Sequence, residues 1–461
     1  KVLTPGRLPP PASVALFIPG VMVTAAANAE APREAGKDML TGKAVRLNWH
    51  CLSIFVAINH ACVTTPLIYS TTLLDKQVGY YGSALLYVST CLGSLFLSIP
   101  LVMKLGQRNA LFLAMALYSV YVGLFALATV LGKGDVGQWV VFLAASCIGG
   151  AAASLLWTSQ GGYMGRSVTA LIDATQCDMQ TATSKHASAF AVYYLMFEVA
   201  FKLLSSVALQ VDLRPWIIFA ACFVCGVGSA LGALTLRDYG LAPGAVRPST
   251  CAKLVAALGL WRDPALWCLS PTNLAFGFSA AFMNGYVNAT YTKVQLGKEY
   301  VGYFATATSF LAAVFSKLFG MAAVRLGRKG PFVLIGSLCF MAIPVIVLAF
   351  GLDGWGGFLI VPYILQGCGR AVYESTNKGV FADFFPGAAT DGAFANQMMQ
   401  STLSFTLAFF FSASLPRSAL AGIILALAAS TFPGLMLAHE VRRQQQNRRE
   451  AEEAAAVGND I

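Results

Sequence analysis

Uninterrupted apolar runs, each ended by charged residues or by a Gly/Pro turn, recur along this chain at the length of a membrane-crossing helix. They fall near 48–74, 78–103, 109–131, 137–164, 187–208 and 215–236, and after a polar gap near 264–291, 301–324, 331–350, 357–380, 392–414 and 418–438. An α-helix rises about 1.5 Å per residue and a hydrocarbon core is about 30 Å thick, so roughly 20 residues suffice for one crossing. The pattern predicts an all-α polytopic membrane protein with twelve transmembrane helices. Several runs exceed the minimum, which predicts tilt or extension past the lipid.

The longest polar gap, Arg237 to Asp263, holds Gly240, Pro243, Gly244 and Pro248 and divides the runs six and six. Residues 46–236 and 264–439 are therefore expected to form two six-helix bundles, joined by a linker at 237–263. Within it, Cys251 to Trp261 (CAKLVAALGLW) places apolar residues at helical spacing and predicts a short amphipathic helix. Residues 1–45 form an N-terminal tail. Its stretch Ala12 to Ala29 has an apolar core and an A-x-A ending at Ala27 and Ala29, which resembles a targeting remnant; Pro19 and Gly20 interrupt it. The charged tail 440–461 is expected to be solvated.

Composition sharpens the class. Of 461 residues, 57% are hydrophobic and 11% charged, and the mean hydropathy is +0.66. So few charges cannot coat a soluble surface, which excludes a soluble enzyme. The net charge of +10 lies in short loops between apolar runs, so it reports topology and not a nucleic-acid footprint. With both termini on one side, nineteen Lys and Arg residues flank the helices there against six opposite. Both termini are thus expected on the cytoplasmic side or its stromal or matrix equivalent. Most of the eleven cysteines fall inside apolar runs and behave as small hydrophobes, and Cys222 and Cys225 have no His or acidic neighbour in sequence, so neither a disulfide framework nor a metal is implied. No phosphate-binding loop, catalytic triad spacing or cofactor motif is present.

The two halves repeat one another. LDKQVGYYG from Leu74 answers LGKEYVGYF from Leu296, and Lys104-Leu-Gly-Gln-Arg108 answers Arg325-Leu-Gly-Arg-Lys329. Gly149, Thr158 and Gly161 align with Gly367, Thr376 and Gly379 at a constant offset of 218. Two repeats about an axis along the membrane normal place a central site at their interface.

Charges inside apolar runs mark candidate chemistry, because each costs about 3 kcal/mol or more unless it faces protein, a partner or water. Glu198 and Lys202, and Arg370 and Glu374, are spaced four apart, so each pair shares a helical face and can neutralise itself. A solute site, a proton relay and a structural ion pair all fit this spacing. Trp157, Gln160, Asn284 and Asn59 are candidate lining groups of the same cavity. Lys317 and Lys378 are expected to snorkel towards the helix ends. The loops Lys104, Gly106, Arg108 and Arg325, Gly327, Arg328, Lys329 are candidate cytoplasmic gates: the glycines permit tight turns, and the basic residues can cap helix C-termini and hold the halves together.

Twelve helices as six plus six, with Gly320, Arg325, Gly327, Arg328 and Lys329 in the basic loop, resemble the major facilitator superfamily. The first-half loop keeps its basic and glycine positions but has Pro100 and no acidic residue. GGAAASLLWTSQGGYM from Gly149 and AVYESTNKGVFADFF from Ala371 are similar to the Unc-93-like branch. That resemblance implies a regulatory or accessory partner of another membrane protein. A gradient-driven transporter of a small organic or ionic solute, or of a proton, and a structural subunit of an organellar complex stay open beside it.

Overall fold

The computed structural model describes residues 41–239, 255, 257–387 and 389–459. The expected targeting remnant and most of the linker lie outside them; of the expected amphipathic helix, residues 257–259 are helical and Leu260–Arg262 form a 3-10 turn.

The described residues form helical runs without strands. In chain order these are α1 (Gly42–Leu73), α2 (Lys76–Leu105), α3 (Gln107–Ala128), α4 (Val136–Thr175), α5 (Met179–Gln210), α6 (Pro215–Ala233), α7 (264–296), α8 (Lys298–Leu326), α9 (Gly330–Ala349), α10 (360–384), α11 (Ala389–Ser412) and α12 (Arg417–Asn459). Among the described residues, nine helices are long and apolar enough to cross a membrane: α1 to α6, α8, α9 and α12. Five starts are set by side-chain caps, at Thr41, Asp75, Asp135, Asp178 and Asp263. Four of the chain's few acids are thus spent where the helix dipole and the unpaired N–H groups favour a carboxylate. Runs of π-helix interrupt α2 at Gly93–Leu97, α7 at Phe282–Thr292 and α10 at Val372–Asn377.

Packing repeats with a shift of six helices. In the first half α1 packs on α5 and α6, α3 on α4 and α6, and α2 on α4; in the second α7 packs on α11 and α12, α9 on α10 and α12, and α8 on α10. The two groups meet through α5 on α8 and through α2 on α11, a pair of contacts that the same shift exchanges. One apolar cluster gathers around Trp49, Tyr121, Phe125 and Phe219 and takes in Val301 and Ala305 from α8; another gathers around Phe282, Tyr363 and Phe409 and takes in Tyr80 and Ala84 from α2.

The halves are hydrogen-bonded together at the end where α1 finishes and α2 begins. Thr71 Oγ1 donates to Gly285 O at 3.1 Å, Asn288 Nδ2 to Ile68 O at 3.3 Å, and Lys293 Nζ to Thr72 O at 2.5 Å. Lys76 Nζ reaches Thr290 Oγ1 at 2.9 Å and Gln77 Nε2 reaches Ala413 O at 3.1 Å. Asn288-Ala-Thr290 has the pattern of a glycosylation sequon, but both Asn288 and Thr290 are bonded within this seam.

Three helices outrun their apolar stretches. The α4 helix continues to Thr175 and α5 starts at Met179, well beyond the expected 164 and 187, because α1 offers them a packing surface there: Trp49 stacks on His186 at 4.7 Å and its Nε1 donates to His186 O. The α12 helix continues through the charged tail to Asn459 instead of ending near 438. Its polar extension remains helical because Arg, Gln, Glu and Ala all have high helix propensity.

Close crossings depend on absent side chains. A Cβ at Gly150 would stand 2.3 Å from Leu86 O, and one at Gly434 would stand 2.3 Å from Cys268 O, both backbone atoms that move only if a helix moves. Gly150→Val is expected to destabilise the detergent-solubilised protein by about 1–3 kcal/mol. Gly228→Val, where nothing lies within 4 Å, should leave thermal unfolding nearly unchanged. Equal melting temperatures for the two variants would contradict the α2–α4 crossing.

Candidate functional site

Charged side chains converge between the halves, and helical spacing is what delivers them. Glu198 and Lys202 lie one turn apart on α5, and Ser309 faces them from α8, the helix on which α5 packs. Along α10, Gln366, Arg370, Glu374 and Lys378 recur every four residues and form one stripe. The π-helical run Val372–Asn377 falls inside that stripe and carries Glu374; such turns are common at functional sites because they re-aim side chains without ending the helix.

Glu198 is the hub. Its Oε1 accepts from Lys202 Nζ at 2.5 Å, Ser309 Oγ at 2.8 Å and Arg370 Nη1 at 3.1 Å, and its Oε2 accepts from Arg370 Nη2 at 3.3 Å. Ser309 Oγ in turn accepts from Lys202 Nζ at 2.9 Å. Arg370 Nε then stands 3.8 Å from Glu374 Oε1, and Lys378 Nζ lies 2.8 Å from Glu374 Oε2. The result is a row of five charges of alternating sign, Lys202, Glu198, Arg370, Glu374 and Lys378, crossing from one half to the other. Only 2% of Glu198 and 4% of Lys202 is exposed, so the attraction acts with little screening by water.

The sequence pattern foresaw two self-contained pairs. In the structure the pair on α5 is tight and the pair on α10 is loose, because Arg370 turns its Nη groups across the interface to Glu198. Lys378, expected to snorkel, is instead 6% exposed and bonded to Glu374; its place four residues beyond Glu374 aims it inward. Gln366 and Ser309 were not singled out from sequence. The four-residue spacing from Arg370 was the signal available for Gln366, whereas no local signal marks Ser309.

A cavity of about 140 Å³ adjoins the network. Glu198, Lys202, Arg370, Glu374 and Asn284 line it, with Gln366, Thr64 and Ser309, and Tyr87, Phe276 and Phe405 form an aromatic side. Tyr87 stacks on Phe405 with ring centroids 4.5 Å apart.

Three expected lining groups are elsewhere. Trp157 stands behind the wall, edge-on to His60 at 5.2 Å, while His60 Nε2 is bonded to Tyr194, which does line the cavity. Asn59 is buried inside the first half, where its Nδ2 donates to Met115 O and Gly226 O and ties α1 to α3 and α6. Gln160 is fully buried on α4, and neither amide atom has a hydrogen-bond partner among the described residues. Trp157 and Asn59 face the interior of the first half because its helices pack more than one face, and a polar residue in an apolar run does not reveal which.

The basic loops also differ from expectation. Gly106 and Gly327 make the tight turns with φ of 78° and 62°. Lys329, however, bonds Gly379 O and Asp383, and Arg108 bonds Leu236 O, each within its own half, while Lys104, Arg325 and Arg328 are exposed. These bonds brace a half from inside and do not latch the halves together. Among the described residues no group of three or more His, Cys, Asp or Glu could hold a metal ion.

No protein-family model matches the chain. Among curated proteins it is similar to Protein unc-93 homolog A of Bos taurus, 25% identical over 389 residues that cover 74% of this chain and 82% of the relative. The Mus musculus protein of the same name is 23% identical over 391 residues, 75% of this chain and 82% of the relative. Among solved structures it resembles the nucleoside transporter NupG (D323A mutant), with a TM-score of 0.62 and 14% identity over 86% of this chain and 99% of that one. A D-xylose–proton symporter gives a TM-score of 0.59 at 12% identity, over 86% and 96% of the two chains. These likenesses establish the major facilitator fold of a multi-pass membrane protein, and the curated relatives bear out the Unc-93-like resemblance of the sequence.

Removing the hub strands two buried cations. Glu198→Gln is expected to cost about 3–5 kcal/mol in thermal or denaturant unfolding of the detergent-solubilised protein. The double variant Glu198→Gln/Lys202→Met should recover part of that loss, since one of the stranded charges goes with its partner. A double variant as unstable as the sum of its single changes would show that the two residues do not interact.

Proposed function

We propose that this Unc-93-like protein is a regulatory or accessory partner of another membrane protein, and that it uses a transporter fold as a scaffold. The observation that carries the reading is that the protein itself fully pairs Glu198, the hub of the charge network. Both oxygens of Glu198 accept from a protein cation or hydroxyl, so the hub carboxylate does not depend on a passing solute for its partner, and Glu374 is tied to Lys378 through Oε2. The cavity of about 140 Å³ is also smaller than the roughly 300–1,000 Å³ of ordinary small-molecule pockets. In this reading α7, α10 and α11 complete a set of twelve spans, both termini lie on the cytoplasmic side or its organellar equivalent, and the bundles meet through 237–263. The loops Lys104–Arg108 and Arg325–Lys329 then serve as braces on the cytoplasmic face.

The second reading, gradient-driven transport of a small solute, is favoured by the cavity's place at the junction of two repeats, where transporters of this fold bind. A structural subunit of an organellar complex differs from the first reading only in how permanent the partner is.

The mass and composition of the particle extracted in gentle detergent from its native membrane tests the proposal. A second membrane protein in fixed stoichiometry, retained by Glu374→Gln, is the expected result. A particle of the chain's own 48.8 kDa plus detergent and lipid would end the accessory reading and leave transport, for which loss of uptake in Glu374→Gln is then the check.

A further inference from the structure

We infer that the central cavity is a binding site for a small zwitterion of the amino-acid class, a point that does not depend on the accessory reading. Three incompletely paired groups that line one cavity carry it. Gln366 is 3% exposed and its Oε1 is taken by Ser279 at 2.6 Å, but its Nε2 has no partner among the described residues. A buried amide left so is worth about 1–3 kcal/mol to any acceptor that reaches it. One turn along α10, Arg370 places three hydrogen bonds, two from Nη1 and one from Nη2. A guanidinium has five N–H donors, so it retains donors of its own on the side where its Nε stands 3.8 Å from Glu374. One turn further, Glu374 gives Oε2 to Lys378, while Oε1 has that 3.8 Å neighbour and no hydrogen bond among the described residues.

The stripe therefore offers donors at Gln366 and Arg370 and an acceptor at Glu374. A carboxylate matches the first pair and an ammonium group matches the third. The simpler ions satisfy only part of the stripe: a lone anion would leave Glu374 Oε1 without a partner, and a lone cation would leave Gln366 Nε2 and the spare donors of Arg370 unmet. A zwitterion adds both signs and no net charge. Asn284 supplies an amide from α7, and the stacked Tyr87 and Phe405 supply an apolar and π-rich wall against which a short side chain or an ammonium face can rest. By the size of water, about 140 Å³ holds a solute of roughly five to ten heavy atoms, which limits the class to its smallest members.

L-alanine is the probe, with propionate, ethylamine and propionamide as its anionic, cationic and neutral parts. Thermal unfolding of the purified full-length protein in detergent, titrated with each at millimolar concentration, should show a saturable upward shift of a few degrees with alanine alone. Asn284→Ala, whose side chain has no hydrogen bond to lose among the described residues, and Gln366→Leu should each raise the half-saturating concentration about tenfold. The inference is overturned if alanine gives no shift, if propionate, ethylamine or propionamide gives an equal one, or if both variants bind like the parent. A partner that co-purifies while alanine fails would overturn this site and leave the accessory reading standing.

Discussion

Everything at the centre of this protein follows from placing one carboxylate, that of Glu198, where water does not reach. A charge in that position cannot stay unpaired, so it draws Lys202 from its own helix, Ser309 from α8 and Arg370 from α10. Arg370 then needs Glu374 less than the four-residue spacing implies, and Glu374 turns to Lys378. Each member is buried because its neighbour neutralises it. That makes the network specific: it is satisfied only when α5, α8 and α10 stand in one mutual register, whereas apolar surfaces alone tolerate several.

The fold supplies the means to hold that register. Its packing scheme, repeated with a shift of six helices, brings α5 onto α8 and α2 onto α11, and thus puts two long helix pairs on either side of the cavity. The π-helical runs of α7 and α10 flank the same cavity, which takes Asn284 from one and Glu374 from the other. A regular helix would present those side chains about a residue's rotation away. The cost of the irregular turns is a weaker hydrogen-bond ladder, and it is met where close neighbours such as Phe276 on Tyr373, 3.8 Å between centroids, keep the segment in place.

Much of this was legible in the order of residues, and the limit of legibility has a physical reason. Apolar runs, their six-plus-six arrangement and the matched loops are properties of chain-local chemistry, and they led to the fold by pattern and by resemblance. The i, i+4 spacing likewise marked Glu198, Lys202, Arg370 and Glu374 as facing inward. What spacing along one helix cannot encode is the partner across a gap: that Arg370 binds Glu198, 172 positions away, is a consequence of tertiary packing. Trp157, Gln160 and Asn59 were misplaced for the converse reason, since a buried polar residue in a bundle has several interior faces to point to. Helix ends were misread at α4, α5 and α12, where the apolar stretch stops but packing or propensity carries the helix on.

The arrangement also bears on whether the two halves move. At one end they are joined by hydrogen bonds to backbone carbonyls of α1, of α7 and of Ala413 just after α11, and at the centre by Glu198 and Arg370; the basic loops at the other end brace their own halves. Opening the joined end would require breaking the seam there, and rotating the halves would also stretch the link from Glu198 to Arg370. A state in which that link is broken can be populated only if something else pairs the separated charges, because two uncompensated ions in the interior cost several kcal/mol each. Water entering from the opened side, a proton on Glu198, or a bound solute with both signs of charge would each meet that condition. The same chemistry that makes the network a lock in one arrangement would therefore let any of the three bias its opening, and a solute would do so only by its difference in affinity for the two states.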